Sequence, residues 1–210
     1  MVRVLLVLIG YVFGLFQTGY LYGKLVNRDL RKEGSGNTGA TNALRVMGWK
    51  AALIVFFFDA LKAFIPVFAV KMIFKDDPYR YVYAMYTALG VILGNDFPFY
   101  LKFKGGKGVA ATAGWGLAIN APYALICIGI FFLVSVITRY VSVGTLTVCV
   151  FIVGLFMLWV FKGWIPIPFI PARIETFVLV ILLEILMVWR HKDNIKRLIR
   201  GEENRFGKKK

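Results

Sequence analysis

A succession of apolar runs, each long enough to cross a bilayer and separated by short basic loops, limits this chain more than any other feature. A helix needs about 20 residues to cover a hydrocarbon core ~30 Å thick. Four runs meet that length, over roughly 4–22, 51–70, 81–100 and 141–161. A fifth, 174–189, is shorter and continues into a helix-forming tail. Between 108 and 138 a longer apolar stretch is interrupted at Asn120-Ala121-Pro122, where proline ends or kinks a helix. Each half is short for a crossing, so the stretch forms either two short spans or one re-entrant hairpin. The expected fold is all-α: a polytopic transmembrane helix bundle of seven spans, or five if the hairpin is re-entrant. One integral membrane domain covers residues 1–210, and only Glu202–Lys210 reads as a flexible basic tail.

Composition agrees. The chain is 59% hydrophobic with 19 phenylalanines, above the roughly one-half apolar content of soluble domains. The net charge of +15 sits in short loops between the spans, which argues against nucleic acid as the partner. The first run resembles a signal peptide only superficially: no small-residue cleavage site precedes Lys24, so it reads as a retained span. Cys127 and Cys149 lie inside apolar runs and read as buried thiols rather than a disulfide or metal pair.

Lysine and arginine counts orient the bundle. Segments 23–50, 100–107, 139–140 and 190–210 hold 19 of them, against 6 on the opposite side. The basic side is therefore expected in the cytoplasm, with the C-terminus inside and the N-terminus outside. That same side carries the glycine-rich motifs, while the opposite loops are ordinary.

The first motif is Gly34-Ser35-Gly36-Asn37-Thr38-Gly39-Ala40-Thr41-Asn42-Ala43-Leu44-Arg45. Glycine allows close backbone approach and positive φ, successive N–H groups form an anion-binding concavity, and Arg45 can grip a phosphate with two donors. The Gly34-x-Gly36-x-x-Gly39 spacing matches a dinucleotide fingerprint, but two membrane helices replace the strand–turn–helix unit that the fingerprint requires. The competing reading is a loop that merely follows the positive-inside rule. The second motif, Lys102-Phe103-Lys104-Gly105-Gly106-Lys107-Gly108, alternates lysine and glycine before an apolar helix. It lacks Walker A spacing yet suits an anion at a helix N-terminus. A topogenic lysine cluster would explain the lysines without the glycines.

Two further segments complete the set. In Arg190-His191-Lys192-Asp193-Asn194-Ile195, His191 and Asn194 share a helix face. A single histidine is more often structural than catalytic, so both readings stand. Ser142, beginning a span, either caps it or bonds a substrate. Within the membrane, Asp59 and Lys62 fall on one helix face and suit a structural ion pair. Glu184 has no obvious local partner, and Asn95-Asp96 precede Phe97-Pro98 as a cap or brace for the second loop.

In this order the motifs resemble the bacterial membrane acyl-phosphate:glycerol-3-phosphate acyltransferases. The resemblance rests on GSGNTGATNALR (34–45), KFKGGKGVA (102–110), TRYVS (138–142) and RHKDNIKRLIRGEENRFG (190–207), with Asp59 and Lys62 also fitting. One departure is Asn95, where members usually carry histidine. The resemblance implies transfer of a fatty acyl group from acyl phosphate to the sn-1 hydroxyl of glycerol 3-phosphate in the cytoplasmic (inner) membrane. No cofactor, metal or obligatory protein partner is expected; the partners are the two substrates and membrane lipids. An acyl phosphate is already activated, so positioning and charge stabilisation are the main tasks. Ser35, Arg45, Lys104 and the Gly105–Gly106 backbone are expected to hold the acyl phosphate, with Gly36, Asn37, Thr41 and Lys107 lining that site. Ser142, His191 and Asn194 are expected to hold glycerol 3-phosphate, and His191 or a substrate phosphate takes the hydroxyl proton. An anion transporter would distribute polar residues along a path through the bilayer instead. An acyl-CoA-dependent enzyme would show His-x4-Asp, but Lys196 follows His191 at that spacing.

Overall fold

The computed structural model describes residues 1–205, which form ten α-helices and one short 3-10 turn, with no strand among them. The chain divides into two compact units, residues 1–119 and the remainder from Asn120.

The first unit contains α1 (Val2–Gly14), α2 (Thr18–Leu25), α3 (Ala40–Met47), α4 (Trp49–Ile73), α5 (Arg80–Asp96), a 3-10 turn (Phe99–Leu101) and α6 (Val109–Ile119). Its tightest seam joins α1 to α5. Gly10 and Gly14 on one helix face Gly90 and Gly94 on the other. A methyl group on Gly90 would overlap the Val7 carbonyl, and one on Gly10 the Thr87 carbonyl. Small residues four apart let the two backbones touch, the usual way to pack helices where lipid removes the hydrophobic drive.

α1 and α2 together make a 24-residue apolar segment, but the helix is broken at Leu15–Gln17, which the run over 4–22 did not announce. Side-chain donors satisfy the carbonyls freed by the break. Gly14 O accepts from Gln17 Nε2 (3.2 Å), Leu15 O from Tyr100 OH (2.6 Å) and Phe16 O from Lys62 Nζ (2.7 Å). A helix interruption survives away from water only with such partners. α4 packs on α6, whose last carbonyls, Ala118 O and Ile119 O, accept from Lys71 Nζ. A cation at a helix C-terminus is favourable.

The second unit contains α7 (Ala121–Thr138), α8 (Val141–Phe161), α9 (Ile170–Arg190) and α10 (Lys192–Ile199). The expected break falls at Asn120: its Oδ1 caps α7 by accepting from Tyr123 N (3.1 Å), and Pro122 occupies the first turn. The interrupted stretch is unequal. α7 has 18 residues and is long enough to cross, whereas α6 has 11. Among the described residues, four segments have the length and composition of a span: Val2–Leu25, Trp49–Ile73, Ala121–Thr138 and Val141–Phe161. α5 ends at Asp96, earlier than its apolar run, ahead of Pro98.

Candidate active site

In the first unit the glycine-rich loop leads from α2 into α3, and Asn42 shapes it. This residue is buried, and its Nδ2 donates to Leu30 O (3.0 Å), Glu33 O (3.0 Å) and Asn37 O (2.9 Å). Its Oδ1 accepts from Ser35 N (2.8 Å). The loop curls round that one side chain, and Gly34, at φ +61, lies so close that a Cβ would overlap Asn42 Oδ1. Leu30 packs against Ala43, Ala51 and Val55 and fastens the loop to α3 and α4. Asn37 Oδ1 accepts from Gly39 N (2.8 Å), closing the turn before α3. The result exposes Ser35, Gly36 and Arg45, with Asn37 and Thr41 half-buried. At the loop's outer edge Arg31 bonds Asp29 (2.9 Å) and holds that carboxyl below its usual range.

The lysine loop follows the 3-10 turn and hangs from the end of α5. Gly106 N donates to Asn95 O (2.9 Å) and Gly105 N to Asp96 O (3.2 Å). Both glycines are buried, and a Cβ on Gly105 would overlap the Asn95 carbonyl. The Gly105 and Gly106 amides, expected to face a substrate anion, donate here to the protein's own carbonyls. Glycine serves here for close approach to α5. Lys104 is exposed and Lys107 half-buried, so the loop offers its charge through side chains.

Beneath both loops lies a buried polar network. Lys62 Nζ donates to Asp59 Oδ1 (2.7 Å), Asn95 Oδ1 (2.8 Å) and Phe16 O (2.7 Å), using its three protons. Thr18 Oγ1 donates to Asp59 Oδ1 (2.9 Å) and Asn95 Nδ2 to Asp96 Oδ1 (2.8 Å). The Asp59–Lys62 ion pair is thus as expected, and Asn95 braces the second loop. Gln17, passed over in the sequence, joins the network. Its signal was present: a single amide in an otherwise apolar run.

The second unit brings Ser142 and Asn194 together through Glu203. Asn194 Nδ2 donates to Glu203 Oε1 (2.8 Å), Ser142 Oγ to the same oxygen (3.3 Å), and Arg197 Nε to Oε2 (2.8 Å). Glu203 is buried, within a segment expected to be part of a flexible tail; residues 206–210 of that tail lie outside the described residues. Ser142 sits inside the first turn of α8 and bonds Glu203 rather than capping the helix. His191 lies at the junction of α9 and α10, 4% exposed. Its Nδ1–H donates to Met187 O (2.8 Å), since a carbonyl can only accept. Asn194 follows one turn later, also buried. Among the described residues no group of three or more histidine, cysteine, aspartate or glutamate side chains is placed to hold a metal.

Span-length apolar helices joined by loops that carry basic, hydroxyl and amide side chains define an integral membrane protein. Comparison with known proteins makes the assignment specific. The profile of the family described as glycerol-3-phosphate acyltransferase matches residues 4–201. A glycerol-3-phosphate acyltransferase of Shouchella clausii (strain KSM-K16) is 40% identical over 205 residues, 97% of this chain and 95% of its own length. One of Thermoanaerobacter sp. (strain X514) is 36% identical over 210 residues, 100% of this chain and 98% of its own. The fold matches crystal structures of PlsY (YgiH), an integral membrane glycerol 3-phosphate acyltransferase. Its glycerol 3-phosphate form gives TM-score 0.83 at 34% identity, covering 98% of this chain and 96% of that one. The lysophosphatidic acid form gives 0.81 at 33% identity, covering 98% and 95%. The chain belongs to the glycerol-3-phosphate acyltransferase family and is a membrane enzyme of that class.

Proposed function

We propose that this enzyme transfers a fatty acyl group from acyl phosphate to the sn-1 hydroxyl of glycerol 3-phosphate, giving lysophosphatidic acid and inorganic phosphate. The observation that carries the reading is the full-length similarity to an enzyme described in glycerol 3-phosphate and lysophosphatidic acid forms. Those two molecules differ by one acyl ester, so they are acceptor and product of a single transfer. Acyl phosphate as donor rests on the motif resemblance and on the two basic loops of the first unit, which suit a phosphate-bearing donor.

The residues divide accordingly. Ser35 and Arg45 on the first loop and Lys104 with Lys107 on the second hold the donor phosphate and the charge that develops on it. Gly36, Asn37 and Thr41 line the same region. Ser142, His191 and Asn194 hold glycerol 3-phosphate, with Ser142 and Asn194 oriented by Glu203. The acceptor hydroxyl attacks the acyl carbon, the acyl–phosphate C–O bond breaks, and phosphate leaves. The hydroxyl proton passes to a substrate phosphate or to His191 Nε2. The donor is already activated, so orientation and fixed charge supply most of the acceleration. In the membrane we place seven crossings, the N-terminus outside, and the motif loops with the C-terminus on the cytoplasmic side of the inner membrane, as the lysine and arginine bias directs.

The assignment is tested by steady-state kinetics in detergent with both substrates varied. Arg45→Ala and Lys104→Ala are expected to lose at least ~100-fold in kcat/KM for acyl phosphate, as removal of a fixed charge stabiliser does. Near-normal turnover in both variants would refute it.

A further inference from the structure

We infer that Gln17 is a positioning residue for the donor site: its side-chain amide ties the glycine-rich loop to the lysine loop and sets their separation. The inference rests on the assignment of acyl phosphate to those two loops.

Gln17 lies in the break between α1 and α2 and is 2% exposed. Its Oε1 accepts from Thr38 Oγ1 (3.2 Å), and its Nε2 donates to Asn95 O (2.9 Å). Thr38, 3% exposed, sits in the first loop beside Asn37 and Gly39, which close the turn into α3. Asn95 O is also the carbonyl that receives Gly106 N. One planar amide therefore touches the first loop at Thr38 and the acceptor from which the second loop hangs. Lys62 runs beside it, joining Phe16 O to Asn95 Oδ1, so the break is held to the end of α5 on both sides.

The amide chemistry matters. Gln17 accepts from a hydroxyl and donates to a carbonyl at once. A carboxylate would keep the first bond and lose the second, and a thioether would lose both while filling nearly the same volume. The break itself has a use here: an uninterrupted helix would not need the donors that Tyr100, Lys62 and Gln17 supply. A phosphate gripped by Ser35 and Arg45 from one loop and by Lys104 from the other needs those loops at a fixed distance, since displacement of about 1 Å costs on the order of 100-fold in rate. The bonds of Gln17 run to the two donor-site loops, so its loss has a selective signature.

The experiment is bisubstrate kinetics on Gln17→Met, Gln17→Glu, Thr38→Val and Thr38→Ser, with thermal unfolding of each. Gln17→Met, Gln17→Glu and Thr38→Val are expected to raise KM for acyl phosphate about 10-fold and to leave KM for glycerol 3-phosphate within about twofold. Thr38→Ser keeps the hydroxyl and is expected to behave as wild type. Gln17→Met combined with Thr38→Val is expected to be no worse than Gln17→Met alone, because Gln17→Met already cuts the link to Thr38. Unchanged KM for the donor, or losses that multiply in the double variant, would overturn the inference. Should Gln17→Met fail to fold, the contrast between Thr38→Val and Thr38→Ser decides alone. The wild type separates the two levels: no turnover of acyl phosphate by wild type sinks the functional reading, whereas normal wild-type turnover with an unaltered Gln17→Met donor KM sinks only the bridge.

Discussion

Replacing Lys62 by methionine isolates what holds the first unit together. The ammonium makes three bonds of 2.7–2.8 Å to Asp59, Asn95 and Phe16 O, and Lys62 and Asp59 are 6% and 8% exposed. Methionine fills much of the same space, so packing loss is small. The main cost is the Asp59 carboxylate, left buried with Thr18 as its one remaining partner among the bonds described here. Breaking one side of a buried ion pair costs about 3–5 kcal/mol. For a chain of this length each kcal/mol lowers Tm by roughly 2–4 °C, so Lys62→Met should unfold on the order of 10 °C below wild type. Adding Asp59→Asn removes the stranded charge while keeping an acceptor for Thr18, and should recover at least about half of the loss. The assay is thermal unfolding of purified protein in detergent, read by intrinsic tryptophan fluorescence. A Tm for Lys62→Met within about 2 °C of wild type would refute the reasoning, as would a double variant no more stable than the single one.

Three further outcomes follow from the geometry. Gly90→Val drives a side chain into the Val7 carbonyl and should cost about 1–3 kcal/mol by overpacking, visible as a Tm lowered by several degrees. Asn42→Ala removes four bonds that shape the first loop; at about 1 kcal/mol each, partly returned by water, it should make the loop sensitive to limited proteolysis and lower activity at least ~10-fold. Glu203→Gln trades an acceptor of three donors for an amide and should raise KM for glycerol 3-phosphate while leaving KM for acyl phosphate near wild type, measured with both substrates varied.

Span-forming segments were legible because bilayer length and proline punctuation are local properties. Asn120 and Pro122 marked the α6–α7 boundary in the sequence and mark it in the structure. The break at Leu15–Gln17 was not legible. No proline stands there, and the freed carbonyls are bonded by Tyr100 and Lys62, far away in the chain. The motif loops were visible as glycine-rich and basic, but their internal roles were not. Asn42 is a strut within the loop, and Gly105 and Gly106 turn their amides to α5 rather than outward. Both facts depend on which nearby groups the folded loop brings into hydrogen-bond reach, and motif composition does not specify that. Glu203 was read as tail because its neighbours are polar; its burial comes from Ser142, sixty-one residues earlier, as well as from Asn194.

The central claim is the identity of donor and product, and a single phosphorus NMR time course tests it most directly. Purified enzyme in detergent is given palmitoyl phosphate and glycerol 3-phosphate without added metal, with palmitoyl-CoA replacing the acyl phosphate in a parallel tube. The predicted result is equimolar growth of inorganic phosphate and 1-acyl lysophosphatidic acid from acyl phosphate, and no product from the thioester. Lysophosphatidic acid formed from the thioester alone, or phosphate released without it, would contradict the claim.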